Sequence, residues 1–314
     1  MKNEKTTQKM KSGFVTLFGK PNVGKSTLMN RVLGTKIAIT TSKPQTTRNR
    51  IIGIHQAESE AVEAQICFVD TPGVHESKKS LNRTMVRAAI GSLEGVDVVC
   101  HLVDAPFFAS NAEKMWEEEA LIFKYLSSVD VKVVLVVNKV DVLSQKELIL
   151  PLIQKFTEFW KYDAVIPLSA KTGENVGEFV DLLMGYLPEG EPIFPTDMLT
   201  DKAERFMAAE FIRERLMDHL RKEIPYAIAV EIERFYDRLD RDLLEISALI
   251  YVERDSQKGI VIGDKGTKIK QIGMEARRMM EEFFGKKVFL ETFVRVEKNW
   301  TDNPESVEKF GYES

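Results

Sequence analysis

Gly19-Lys20-Pro21-Asn22-Val23-Gly24-Lys25-Ser26 lies between an apolar run, Phe14-Val15-Thr16-Leu17-Phe18, and a helical pattern that begins Thr27-Leu28-Met29-Asn30. Strand, loop and helix in that order are the context in which G-x-x-x-x-G-K-[ST] becomes a phosphate-binding loop. The two glycines let consecutive backbone N–H groups turn inward, and the new helix points its positive end at the same place. Lys25 can reach the β- and γ-phosphates, and the Ser26 hydroxyl can ligate Mg²⁺. Every position from Gly19 through Ser26, with Thr27 following, is a candidate nucleotide contact. A glycine-rich turn without this flanking pattern would carry no such meaning.

The base is read from a second motif. Asn138-Lys139-Val140-Asp141 closes the apolar run Val133-Val134-Leu135-Val136-Val137, which has the composition of a buried parallel strand. A carboxylate at Asp141 can accept from guanine N1–H and N2–H₂, whereas adenine has no donor at N1. A site built on such a hydrogen bond rejects the analogue lacking it by roughly 10⁴-fold. Lys139 would lie along the base, and Asn138 would tie this loop to the phosphate loop. Ser169-Ala170-Lys171 follows the next strand and can offer a backbone N–H to the guanine O6.

Two further segments would sense the γ-phosphate. Asp70-Thr71-Pro72-Gly73 follows Ile66-Cys67-Phe68-Val69, so that Asp70 can hold Mg²⁺ through water and the Gly73 N–H can bond the γ-phosphate. The polar stretch Thr40-Thr41-Ser42-Lys43-Pro44-Gln45-Thr46-Thr47-Arg48 reads as a first switch, with Thr47 closing over the metal and Thr46 as the alternative. Ser26, Thr47 and Asp70 are then the metal set. Lys25, Gly73, Thr47 and Asn22 are the candidate catalytic residues. Val74 stands where many GTPases place a water-orienting glutamine, and valine can neither donate nor accept, so slow turnover is expected.

Strand patterns near 13–19, 50–56, 62–69, 96–104, 131–138 and 163–168 alternate with helical stretches near 25–33, 78–94, 112–128, 145–160 and 175–187. This is the grammar of a doubly wound, mostly parallel α/β domain with its ligand at the carboxyl ends of the strands. Strands 50–56 and 62–69 have no helix between them and should form one antiparallel hairpin. Pro188, Gly190, Pro192 and Pro195 then interrupt the pattern as a linker. The expected organisation is an arm over 1–12, a nucleotide domain over 13–187, a linker over 188–200, a second domain over 201–300 and a tail over 301–314.

The second domain is α+β, with helix, strand, strand, two helices and strand in turn. Its first helix, over 202–223, carries Phe206, Ala209, Ile212, Leu216 and Leu220 on one face. Between its later helices comes Ile260-Val261-Ile262-Gly263-Asp264-Lys265-Gly266-Thr267-Lys268-Ile269-Lys270. A G-x-x-G turn lets the backbone approach a single strand and clamp about four nucleotides. Lys258, Lys265, Lys268, Lys270, Arg277 and Arg278 stand there against Asp264 and Glu275, a locally basic face in a chain of net charge −4. The four lysines would meet phosphates, while Ile260, Ile262 and Ile269 would floor the groove. Gly263, Asp264 and Gly266 form the turn itself.

With 314 residues and 44% hydrophobic content, the chain can build two cores. No run approaches the roughly 20 apolar residues of a spanning helix, and the polar start lacks a secretory signal's apolar centre. Cys67 and Cys100 sit in strand runs as buried, reduced side chains, and no His/Cys cluster suggests zinc or another metal cluster.

These motifs together, with Pro44-Gln45-Thr46-Thr47-Arg48, Ile224-Pro225-Tyr226-Ala227 and the 263–266 turn, resemble the Era family of bacterial GTPases, whose G domain belongs to the translation-factor-related class. The resemblance covers nearly the whole chain beyond the first dozen residues. It implies a type II KH domain, GTP/GDP and Mg²⁺ as ligands, and slow GTP hydrolysis. It also implies binding of the single-stranded 3′ end of 16S rRNA during small ribosomal subunit assembly. Further implications are a cytoplasmic location with peripheral contact at the inner membrane face, and no DNA partner. Asn22 resembles the asparagine that coordinates K⁺ in related GTPases; the residue can equally brace the loop, and both readings stand. The competing functions are an RNA-binding scaffold whose G domain only senses GTP or GDP, and an ATP-driven RNA remodelling enzyme, which Asp141 disfavours.

Overall fold

The computed structural model describes residues 9–60, 62–75, 79–110, 112–238 and 240–312. Among the described residues, those within 9–38, 47–75 and 86–201 form one compact unit, and those within 39–46, 79–85 and 202–312 a second.

The first unit is built on six strands: β1 (Lys9–Phe18), β2 (Ile51–Glu58), β3 (Val62–Asp70), β4 (Val98–Asp104), β5 (Lys132–Asn138) and β6 (Ala164–Pro167). Their order is β2-β3-β1-β4-β5-β6, antiparallel only between β2 and β3 and parallel elsewhere. The near-continuous apolar runs of β4 and β5 are explained by burial on both faces. Helices α1 (Lys25–Leu33), α2 (Ser80–Gly91, of which only Val86–Gly91 falls in this unit), α3 (Ala105–Ser110), α4 (Ala112–Leu126), α5 (Ile149–Phe159) and α6 (Val176–Tyr186) complete the alternation. The short α3, seated directly after β4, is not visible as a separate pattern in the sequence.

Several stretches differ from the sequence reading, among them 39–46 and 79–85, which fall in the second unit although 13–187 reads as one domain. Of the arm expected over 1–12, residues 1–8 lie outside the described residues. Residues 9–12 belong to β1, because β3 is long enough to pair with them from Val62 onward. The proline-bearing stretch 188–200 is a strap on the first unit. Ser12 N–H donates to Pro188 O, Gly190 N–H to Met10 O and Ile54 N–H to Leu199 O. The Gln65 side chain, fully buried in β3, donates to Phe194 O and accepts from Phe194 N–H, both at 2.8 Å. Phe194 packs edge-on against Phe14 beside Ile52, Ile54 and Cys67. Prolines here stop a helix, and the side chains between them then bind to the sheet.

In the second unit, α7 (Glu204–His219) is followed by β7 (Ala229–Arg238), β8 (Leu243–Val252), α8 (Asp255–Ile262), α9 (Thr267–Phe284), β9 (Lys287–Val296) and α10 (Pro304–Lys309). β8 pairs antiparallel with β7 and parallel with β9. The alternate positions Leu244, Ile246, Ala248, Ile250 and Val252 are buried. Leu249 and Tyr251, on the opposite face, are buried as well, clustered with Trp300, Val307 and Tyr312. Trp300 Nε1–H donates to Ala227 O, and Glu253 accepts from Thr301, so the segment after 300 is part of this core. Helix α7 is shorter than 202–223, with Pro225 in a separate 3₁₀ turn, Ile224–Ala227. Its buried surface is wider than one stripe and includes Met207, Phe211 and Met217, while Phe206 and Ala209 are half-buried. The segment Ile39–Thr46 belongs to this unit, and Arg213, paired to Glu210, donates to Thr46 O at 2.6 Å.

Cys67 and Cys100 are both free and buried, and burial pushes the Cys67 thiol up to about 12. Replacing Gln65 by Leu would leave the N–H and C=O of Phe194 facing an apolar side chain. Leaving buried donors and acceptors unpaired costs about 1–3 kcal/mol. Gln65→Leu should therefore lower the denaturant midpoint of the first unit by that order; an unchanged midpoint would mean the strap contributes nothing to stability.

Candidate nucleotide and RNA site

The loop after β1 is shaped by close approach. Gly24 has φ +104, and a Cβ there would lie 2.2 Å from Asn138 Nδ2. Gly73 has the same constraint against the Pro21 backbone N, at 2.4 Å. Lys25 is buried at the start of α1, with Nζ donating to Gly19 O at 3.0 Å and Lys20 O at 2.8 Å. Burial lowers its pKa to about 8, opposed by the charges of Asp70 and Glu119.

Three oxygens meet beside it. Ser26 Oγ donates to Asp70 Oδ2 at 2.5 Å and lies 2.8 Å from Thr47 Oγ1, which is 3.3 Å from the same carboxylate oxygen. Thr46 is not part of this group; its hydroxyl bonds Lys43 O and Thr41. Burial pushes the Asp70 carboxyl up to about 6, against the Ser26 hydrogen bond and the Lys25 charge. Its Oδ1 is buried without a hydrogen-bond partner among the described residues. Two hydroxyls and a desolvated carboxylate with an unsatisfied oxygen suit a hard divalent cation. Thr71 Oγ1 is directed to Leu17 O at 2.7 Å. Val74 is 3% exposed and packed with Phe18, Ala89 and Leu93, while its N–H donates to Gly19 O. This position braces the loop with its backbone and the core with its side chain.

The base-reading loops join the same place. Asn138 Nδ2–H donates to Val23 O at 2.7 Å, and its Oδ1 accepts from Ala170 N–H at 3.0 Å and Lys139 N–H at 2.7 Å. Lys139 is left-handed at φ +66, and its Nζ donates to Asn22 O at 2.6 Å and pairs with Asp104 Oδ2 at 2.5 Å. Val140 is buried. Asp141 Oδ1 accepts from Ser169 Oγ at 2.7 Å, which presets the carboxylate. Lys171 is exposed, with its carbonyl taken by Arg31. Pro72 is buried with its neighbours, and Thr27 is half-buried on α1.

In the second unit, α8 and α9 are joined by Gly263-Asp264-Lys265-Gly266. Gly263 has φ +74, and a Cβ there would come 2.7 Å from Lys268 Cβ; Lys265 and Gly266 are also left-handed, at φ +46 and +77. These three positive-φ positions within four residues expose Asp264 and Lys265 at the tip. Ile260 is 46% exposed, Lys270 is exposed, and Lys258, Ile262, Lys268 and Ile269 are half-buried around the turn.

Residues 14–139 match the family model described as 50S ribosome-binding GTPase, and residues 223–301 match that of the KH domain. The chain is 47% identical to GTPase Era of Geotalea uraniireducens across 98% of this chain and all of that one. The chain belongs to the Era GTPase family. An Era of Xanthomonas oryzae pv. oryzae is likewise 47% identical, over 98% of this chain and 99% of its own. Among solved structures, a variant of Aquifex aeolicus Era bound to GDP·AlF₄⁻ is 40% identical with a TM-score of 0.91, covering 97% of this chain and 100% of that one. Another Era, in complex with MgGDPNP and nucleotides 1506–1542 of 16S ribosomal RNA, is 40% identical with a TM-score of 0.89 at the same coverage.

For this Era-family chain, two site residues had escaped sequence reasoning. Asp104 holds Lys139 and also caps α3 through Phe107 N–H. Glu119 pairs with Lys20 of the phosphate loop. An aspartate at the end of a buried strand is a signal for the first; the second lies inside a run of helical glutamates that nothing distinguishes.

Gly34 provides a control for Gly24, since it is left-handed at φ +66 but has nothing within 4 Å of an added Cβ. Gly34→Ala should cost about 1–2 kcal/mol from backbone conformation alone. Gly24→Ala should cost at least twice as much by denaturant titration, because Asn138 must move. Equal losses would show that the Asn138 approach does not constrain the loop.

Proposed function

We propose that this Era-family chain binds GTP with Mg²⁺, hydrolyses it slowly, and uses the nucleotide state to gate binding of the single-stranded 3′ end of 16S rRNA during small ribosomal subunit assembly. The observation that carries the reading is the meeting of Ser26, Thr47 and the unsatisfied Asp70 carboxylate on the end of the sheet that also holds Asn138 and Asp141. The nucleotide and RNA found with the solved relative are of the same classes.

Ser26, Thr47 and Asp70 would hold the cation, which when bound neutralises charge on the β- and γ-phosphate oxygens. Lys25 brings its ammonium to the same phosphates, and backbone N–H groups at the start of α1 complete the cradle. The Gly73 N–H would sense the γ-phosphate, in a segment packed so closely on Pro21 that a Cβ would collide. The Val74 side chain is packed in the core and cannot orient an attacking water, so turnover would be slow. That suits a timer. Asn22, held by Lys139 through its carbonyl, is the residue that would ligate K⁺. Asp141 would read guanine N1–H and N2–H₂. A backbone N–H of Ser169-Ala170-Lys171, a loop tied to Asn138 through Ala170 N–H, would meet guanine O6. A cytoplasmic site of action, with peripheral contact at the inner membrane face, belongs to the same reading through the family resemblance.

Asp141→Asn should weaken GTP by roughly 10²-fold or more and favour xanthosine triphosphate, whose base places an acceptor where guanine has a donor. Unchanged GTP affinity in a calorimetric titration would remove Asp141 from base recognition. Lys265→Asp, which keeps both glycines, should lower affinity for single-stranded rRNA at least about tenfold and flatten its salt dependence. Equal RNA affinity for this variant and the wild type would defeat the RNA assignment of the turn. Multiple-turnover hydrolysis by the purified protein separates the switch from a scaffold that only senses nucleotide.

A further inference from the structure

Lys20 is the second residue of the phosphate loop, yet its side chain turns into the protein. Nζ lies 3.1 Å from Glu119 Oε1, with the two side chains 12% and 2% exposed. The other carboxylate oxygen is 3.0 Å from Nε2 of His101, which is fully buried on β4. His101 Nδ1 lies 2.8 Å from the Tyr162 hydroxyl. The rings of Phe123, Phe156 and Tyr162 enclose the imidazole. One proton arrangement satisfies every atom: Tyr162 O–H donates to Nδ1, Nε2–H to Oε2, and the Lys20 ammonium to Oε1. Burial opposes ionisation of the Glu119 carboxyl, but the His101 hydrogen bond and the Lys20 charge together hold it below its ordinary range. Burial raises the Tyr162 hydroxyl, so it remains a donor.

This chain of contacts ends at the chemistry. The carbonyl of Lys20 is one of the two that hold Lys25 Nζ. Anchoring the Lys20 side chain therefore restrains the peptide whose oxygen aims Lys25. We infer that Glu119, buttressed by His101 and Tyr162, is a positioning residue that acts through Lys20 to preset the phosphate loop for nucleotide. A buried carboxylate is an expensive place to keep a surface-loop lysine unless the geometry it enforces is used. The inference rests on the nucleotide-binding reading of the loop. A loop held ready contributes equally to ground-state and transition-state binding, so its loss raises KM and leaves kcat nearly unchanged.

The test is GTP kinetics on the full chain, alongside thermal melting. Glu119→Gln removes the charge at constant size and should raise KM at least about fivefold, with kcat within about twofold of wild type. Lys20→Met should have a similar effect, and the double variant should be no worse than either single one, because both break one link. Lys20→Arg, whose guanidinium still reaches the carboxylate, should restore KM. If Glu119→Gln does not fold, Lys20→Met against Lys20→Arg decides alone. Wild-type protein without GTP turnover would defeat the proposed function itself. Wild-type turnover with unchanged KM in Glu119→Gln or Lys20→Met, or additive losses in the double variant, would overturn this inference.

Discussion

The Asn138 side chain holds three loops in one arrangement. Its amide donates to Val23 in the phosphate loop, and its carbonyl accepts from Ala170 after β6 and from Lys139 beside it. Neither aspartate nor leucine could do this, since the first lacks the donor and the second both functions. The side chain occupies the space that any Cβ at residue 24 would need. The glycine requirement, the strand order and the join between phosphate and base recognition thus meet in one amide. Satisfying a buried amide completely is what makes such a node rigid rather than costly.

Ion pairs extend the same framework outward. Asp104 and Asn22 O hold Lys139, while Glu119 holds Lys20. The loops around the nucleotide site are therefore held by ion pairs whose geometry is set beforehand by partners behind them. This limits the reorganisation that binding demands, which is the usual route by which a fixed polar site gains strength.

Much of this was legible in the residues because the motifs encode backbone geometry. Gly24, Gly73 and Gly263 are glycines where a Cβ would collide, so their spacing carries the fold with it. Ser26, Thr47 and Asp70 could be placed together from their order along an alternating pattern. Helix α3, the strap over 188–200, the packing of α10 and the Glu119 pair were not legible, for a common reason. Each depends on a partner distant in the chain and has no period of its own. Gln65 is an example: a polar residue in an apolar strand has no sequence signal pointing to Phe194. The wide burial of α7 was missed likewise, because a stripe of leucines cannot announce that Arg213 and Glu210 will also be covered.

The strap also closes a border of the sheet. β2 is an outermost strand, and Ile52 N–H, Ile54 N–H and Gly53 are matched by Asp201, Leu199 and Thr200. A bare outer strand offers a row of unpaired peptide groups to any other chain, and natural sheets commonly cover or interrupt it. Residues that read as a spacer between domains therefore protect the first unit from sticking to copies of itself. A fragment ending at 187 would retain every nucleotide motif and lose that cover.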